Sequence, residues 1–360
     1  MTEQGQIRIT DVLTGAHVVA GRVRHFGDVA AEVAGLEWGG VVPLSGTTPL
    51  RLTGADRLEF LHGQVSHEVK RLGPGEGRAA LMLNIRGHAL ALLRVYRRED
   101  DLFAAAEGGA GALAEAQLRA HIIFDQVEIH NLSASLSTLT LQGKAAAATV
   151  QKMFDTLPSP DTCIQVPFAS AKVLVSPVAR SRAGGFDLHV LTRDAAELLA
   201  ALRAAGIQLA GEDALEALRV EAGLAGAEFE GGEGVLPQEA GLTYAVSYRK
   251  GCYLGQEIMA RIEARGKLKR RLVGLKLSGM PESGVRDLVQ TSSAQNASGQ
   301  NGKTVGRLGG VAAHPRLGVI ALGSVRTELE VGARLEVGGV SGVVSELPFA
   351  SPTAAPTQKL

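Results

Sequence analysis

The chain has 360 residues, enough for two or three hydrophobic cores, and its 45% hydrophobic against 21% charged content predicts that most of it folds. Its 37 lysines and arginines balance 37 aspartates and glutamates, and this zero net charge argues against a broad nucleic-acid footprint, which needs surplus positive charge. No apolar run approaches the roughly 20 residues that span a bilayer, residues 1–6 lack the basic and apolar regions of a signal peptide, and Cys163 and Cys252 form neither a C-x-x-C pair nor a zinc pattern. The expectation is a reduced cytoplasmic protein with no structural disulfide, no membrane contact and no metal site.

In chain order, Leu58, Leu61 and Val65 recur at helical spacing and predict a helix over Ala55–Val69, with Asp56 as its cap or ion-pair partner. Strands are expected at Ala80–Asn84 and Ala89–Tyr96 around Arg86-Gly87, then a helix over Ala110–His121 and a strand over Gln126–Ile129. Ser137–Leu141 reads as a strand and Ala145–Thr156 as a helix. The strand Asp187–Leu191 leads into a helix over Asp194–Ala205 closed by Gly206, and a further helix over Asp213–Ala222 stops at Gly223. Thr291–Lys303 is a polar, low-complexity loop, Gly318–Arg326 and Ala333–Val344 suit the short strands of a small barrel, and Ser351–Leu360 reads as a disordered tail. Strands and helices mixed with few β-α-β units predict an α+β fold rather than a doubly wound sheet.

The densest chemistry lies in Lys250-Gly251-Cys252-Tyr253-Leu254-Gly255-Gln256-Glu257, where a thiol, a phenol, a cation and an amide–acid pair share eight residues. This string resembles the K-G-C-Y-x-G-Q-E signature of YgfZ-type proteins, folate-binding relatives of the glycine-cleavage T-protein (aminomethyltransferase). Further matches are Leu52-Thr53-Gly54-Ala55-Asp56 through Phe60-Leu61-His62-Gly63-Gln64, Arg219-Val220-Glu221-Ala222-Gly223, and Leu236-Pro237-Gln238-Glu239-Ala240-Gly241-Leu242. The resemblance covers roughly residues 45–275 and loosens near Gly306 and Ala321-Leu322-Gly323.

What the resemblance implies is an α+β, three-domain cloverleaf of the T-protein type around a central channel, with a small C-terminal β-barrel. An N-terminal segment (1–44) would pack on a two-part folate-binding region (45–275), followed by the barrel (276–350) and a tail (351–360). Tetrahydrofolate would lie in the channel, with Glu221, Arg219, Tyr253, Gln256, Arg261 and Arg265 as its binding residues and Cys252 as the chemical group. The implied partners are folate, iron–sulfur enzymes as clients (tRNA-thiolating ones among them) and a weak tRNA contact, for a monomer with no independent turnover.

Each residue also has a plainer reading. Cys252 is either a small buried hydrophobe or a thiol activated by Arg249 and Lys250, whereas Cys163 has no such setting. Glu221 sits in a last helical turn, where the helix dipole disfavours a carboxylate; its partner is either Arg219 or another base, or the adjacent N–H donors of a pterin. Tyr253 stacks on a pterin or fills a core, and Gln256 and Glu257 fix the loop. Arg261, Arg265, Lys267, Lys269, Arg270 and Arg271 form a solvated face or attract folate glutamates or RNA phosphates. Gln64 and Asn84 are candidates for polar channel lining. The T-protein branch carries acid soon after the glycine of its second motif, whereas Gly87 here is followed by His88 and the apolar run Ala89-Leu90-Ala91-Leu92-Leu93, so the base or cation stabiliser of aminomethyl transfer is missing.

Overall fold

The computed structural model describes residue 9 and residues 13–266, 268–290 and 302–349; the side chain of Arg265, Lys267, nearly all of the loop expected at Thr291–Lys303 and the tail expected at Ser351–Leu360 lie outside the described residues. Among the described residues, three large β-systems organise the chain, beside a two-stranded hairpin of His17–Val19 and Arg22–His25. The first is a five-stranded antiparallel sheet in the spatial order Gly77–Leu83, Ala89–Arg97, Leu102–Ala106, Thr48–Thr53 and Glu128–Asn131. Period-2 alternation sorts its faces: Ala91, Leu93 and Val95 join the core beneath the helices Arg57–Gln64 and Gly111–Ala120, while Leu92 and Tyr96 face the other way. Arg94, between Leu93 and Val95, shares that second face.

The second sheet runs Ile164–Phe168, Ala171–Pro177, Gly185–Leu191, Leu136–Gln142, Gly40–Pro43 and Gln208–Leu209, covered by the helices Ala146–Phe154 and Ala195–Ala204 through Val150, Leu198 and Leu202. Among the described residues only its last pair is parallel, as the α+β expectation requires. The third system is a closed barrel of six strands, Arg270–Leu277, Gly318–Arg326, Thr304–His314, Asp287–Gln290, Arg334–Val337 and Val340–Ser345, filled by Val273, Leu275, Leu288 and Leu335 among others. Its first strand therefore starts at Arg270, ahead of the barrel boundary expected at 276.

The helix Glu212–Ala222 is the hub. Its apolar side, with Ala214, Ala217 and Leu218, shares a core with Val33 and Leu36 of the helix Val29–Trp38 and with Ala312, Ile320 and Leu322 of the barrel. It ends where expected because Gly223 takes the left-handed conformation (φ +72°) that lets the last carbonyls be capped.

The helix expected over Ala55–Val69 is shorter, Arg57–Gln64. The ammonium of Lys250 takes the carbonyls of His62, Val65 and His67, which leaves them unavailable to a continuing helix. Asp56 does not cap that helix; its carboxylate accepts instead from the Gln126 amide at 2.8 Å. Among the described residues no helix is long and apolar enough to cross a membrane.

Candidate functional site

Between the two sheets and the 212–222 helix lies a cavity of about 100 Å³. Its charged lining is Arg22, Glu107, Arg180, Glu212, Glu216, Arg219 and Glu228, four carboxylates against three guanidiniums. Helical spacing explains part of it: Glu212, Glu216 and Arg219 stand four and three residues apart and share one face of the helix. The other members come from loops and strand ends that only the fold brings together.

The guanidiniums are fully engaged. Arg22 donates from Nε to Glu212 and from Nη1 to Glu228, both at 2.5 Å. Arg219 forks onto Glu216 at 2.7 Å and reaches Glu230 at 2.9 Å, with its guanidinium 5.3 Å from the Phe229 ring. Arg180 bridges the two sheets, donating to Glu107 at 2.8 Å and to Asp187 at 2.6 Å. Burial by itself would raise the Glu107 carboxyl, but Arg180 and then Arg94 outweigh it and hold it at about 2. Glu212 behaves in the opposite sense: burial raises it, and Arg22 only partly compensates. Its second oxygen, Oε1, is buried with no hydrogen-bond donor among the described residues. A buried acceptor left open in this way costs stability, which marks Glu212 as a place where a ligand N–H fits.

The K-G-C-Y-x-G-Q-E segment forms a separate site. Lys250 is buried, and its ammonium donates to the carbonyls of His62, Val65 (2.5 Å) and His67 (3.3 Å) while lying 4.7 Å from the Tyr253 ring centroid. Burial pulls Lys250 down to about 8, so it remains a cation at neutral pH. Lys250 thus anchors the loop from within. The Tyr253 amide donates to Gln256 Oε1 at 3.3 Å, and burial raises the Tyr253 phenol to about 12. Gly255 opens the helix Gln256–Arg265 at φ +85°, where an added Cβ would lie 2.7 Å from the Asn84 carbonyl. Only glycine satisfies both constraints. Cys252 sits exposed on this braced loop, whereas Cys163 is buried and its thiol is pushed up to about 11. Iodoacetamide is therefore expected to label Cys252 in the folded protein and Cys163 only after unfolding. Peptide mapping that found Cys163 labelled first would reverse this assignment.

The expected binding residues do not converge on one place. Arg219 lines the cavity, but as an ion-pair partner of Glu216 and Glu230 rather than of Glu221. Glu221, buried on another face of the same helix, directs Oε2 to His314 Nε2 of the barrel at 3.6 Å. It stands two positions beyond Arg219, about 200° around the helix, and this rotation takes it out of the cavity lining. Tyr253, Gln256 and Arg261 belong to the thiol loop and its helix and do not line the cavity; Arg261 is exposed, and the Arg265 side chain lies outside the described residues. Asn84 is occupied in its own hairpin, accepting from the Arg86 and His88 amides, and Gln64 does not line the cavity. Ala91 and Leu92 are buried in apolar clusters.

Two helix-backed sheets flanking a charged cavity, with a closed barrel packed on the hub helix, define a protein of the aminomethyltransferase fold type. The chain belongs to the GCVT N-terminal domain family, which its residues 25–250 match. It is 29% identical over 308 residues to an aminomethyltransferase of Shouchella clausii, covering 82% of each chain. It is 30% identical over 261 residues to an aminomethyltransferase of Geobacillus kaustophilus, covering 68% of this chain and 70% of the relative. The fold matches that of the glycine cleavage system aminomethyltransferase T from Bartonella henselae at a TM-score of 0.79 and 21% identity, over 93% of this chain and 94% of that one.

Proposed function

We propose that this protein is a YgfZ-type member of the family. In this reading it is a monomeric cytoplasmic protein that binds tetrahydrofolate in the central cavity and uses Cys252 to support iron–sulfur enzymes, including those that thiolate tRNA. The observation that carries the folate half is the donor-less Oε1 of Glu212 in an acid-rich cavity between the sheets. A pterin presents adjacent N–H donors on its aminopyrimidine edge, and a carboxylate is their natural acceptor. Glu212 and Glu216 would hold that edge, and Phe229 offers a ring for the pterin face. This moves the acceptor role from Glu221 to Glu212. The free volume of about 100 Å³ is below the few hundred Å³ usual for ligand sites, because the Arg22–Glu228 pair reaches across it. Both side chains are about a quarter exposed, and in this reading ligand entry breaks the Arg22–Glu228 pair.

The observation that supports the thiol half is an exposed Cys252 on a loop braced by a buried lysine, a glycine and a glutamine. A soft sulfur ligand suits iron–sulfur centres, and a hydroxyl does not.

Titration calorimetry with tetrahydrofolate tests the first half. Glu212→Ala is expected to lose about 10- to 150-fold in affinity, the equivalent of about 1.5–3 kcal/mol for a charged hydrogen-bond partner. Glu221→Gln is expected to bind like the native protein. The reverse pattern would return the acceptor role to Glu221. In a strain lacking the native protein, Cys252→Ser is expected to fold and bind folate but fail to restore cluster-enzyme activity; full rescue would make the thiol structural.

Aminomethyl transfer is the second reading, favoured by the aminomethyltransferases among the relatives. Against it stand the apolar Ala91 and Leu92 and a Glu107 carboxylate already held by two arginines. Turnover near ~1 per second on an aminomethylated lipoyl carrier, within the ordinary enzyme range, would decide for transfer.

A further inference from the structure

Glu107 lines the central cavity, while its ion-pair partner Arg94 lines a second one of about 320 Å³. Separate stretches of chain build this second cavity. Arg78, Arg94 and Tyr96 come from the adjacent strands Gly77–Leu83 and Ala89–Arg97, His67 from the segment after the Arg57–Gln64 helix, Asp161 from the loop before Ile164–Phe168, and Tyr244 from the short turn Thr243–Ala245. Its volume falls in the range of small-ligand sites.

Arg94 is held rigidly. Its Nε donates to Glu107 at 2.9 Å, and its guanidinium lies 5.9 Å from the Tyr244 ring centroid. Its two terminal nitrogens make no hydrogen bond with the described residues, although the side chain is only 18% exposed. Arg78 is steadied through Nη1 on the Gly77 carbonyl at 2.6 Å, with Asp161 at 3.6 Å. Burial, and then the Arg78 charge, lower the pKa of His67, so the imidazole is neutral and adds no cation. Burial keeps the Tyr96 phenol protonated, hence a donor. Arg78 and Arg94 both line the wall, with Asp161, 68% exposed, beside Arg78 at the rim. Arg94 is paired with Glu107 behind the wall and Arg78 with Asp161 at the rim, so the cavity offers open guanidinium N–H donors rather than a net charge.

We propose that this cavity is a binding site for the carboxylate of a small organic acid, held between Arg94 and Arg78. A planar carboxylate matches a guanidinium fork, and the two terminal nitrogens of Arg94 are open to it. The site uses none of the residues assigned to folate or to the thiol loop, and it does not depend on either assignment.

Calorimetry at low salt with glutarate as the probe and glutaramide as its uncharged counterpart tests the site. Glutarate is expected to bind about tenfold or more tightly than glutaramide, and Arg78→Gln, a change at a partly exposed position, is expected to weaken glutarate about tenfold or more while leaving the fold intact. Equal binding of the two probes, no binding of glutarate, or unchanged binding to Arg78→Gln would overturn the proposal. Folate itself ends in carboxylates, so competition separates the two sources. Displacement of glutarate by tetrahydrofolate but not by tetrahydropterin identifies the folate tail as the occupant; glutarate binding that persists under saturating tetrahydrofolate identifies a free acid. Failure of glutarate alone leaves the Glu212 experiment to stand or fall separately.

Discussion

Replacing Arg180 by methionine is expected to cost about 3–5 kcal/mol of stability, the usual consequence of stripping one partner from a buried ion cluster. Among the described residues Arg180 is the only cation that joins Glu107, just past the middle strand of the first sheet, to Asp187 in the second, at 2.8 and 2.6 Å, and both carboxylates are nearly or wholly out of water. Asp187 would lose both the Arg180 contacts that satisfy it, and Glu107 would keep only Arg94. The effect carries a pH signature. The Glu107 carboxyl sits at about 2 in the folded protein against an ordinary value of 4.5. A carboxyl depressed by folding contributes stability that is complete above its unfolded value and disappears as pH falls through its folded value. Urea denaturation should therefore show the full gap between native protein and Arg180→Met at pH 7, and a narrowing gap between about pH 4.5 and 2. A gap that does not change with pH would mean that the loss comes from packing alone.

Lys250→Met is expected to destabilise the protein by about 2–4 kcal/mol. The ammonium is the shared donor for three carbonyls near the end of the Arg57–Gln64 helix, two of them in the interior. Hydrogen bonds from a charged donor contribute about 1.5–3 kcal/mol each, and buried acceptors left open cost a similar amount; part of this is returned because the methionine carries no desolvation penalty. The same substitution releases the anchor of the thiol loop. Hydrogen exchange should rise in residues 62–69 and 250–255 together, and an increase confined to one of the two segments would show that Lys250 does not couple them. A midpoint shift below about 1 kcal/mol would reduce the cage to a surface contact.

Both variants probe contacts between residues far apart in sequence, and here the legibility of the chain divides. The helix at 212–222, its stop at Gly223, the strand pair around Gly87 and the strand Gly318–Arg326 follow from local rules: apolar periodicity, a residue free to adopt positive φ, and turn chemistry. The Leu102–Ala106 strand was not legible, because LFAAA is buried on both faces and shows no alternation. The exposed Cys252 and inert Cys163 were separable from sequence only as alternatives, since a charged neighbour such as Lys250 reads as a solvated cation until the fold buries it.

By itself, then, the sequence determined the α+β class with its terminal barrel, the family to which the chain belongs, and the loop on which the thiol stands. These depend on short-range pattern and on the identity of residues within a few positions of one another. Only the tertiary structure decided which charges meet. It turned Glu221 toward His314 and Glu212 toward the cavity, and it joined Arg180 to both Glu107 and Asp187. It also set the Arg94–Glu107 pair between two cavities. The physical reason is that a helix fixes only the relative angle of its side chains, about 100° per residue. Which angle faces water, a partner or a ligand is set by the elements packed around the helix, and those come from distant parts of the chain.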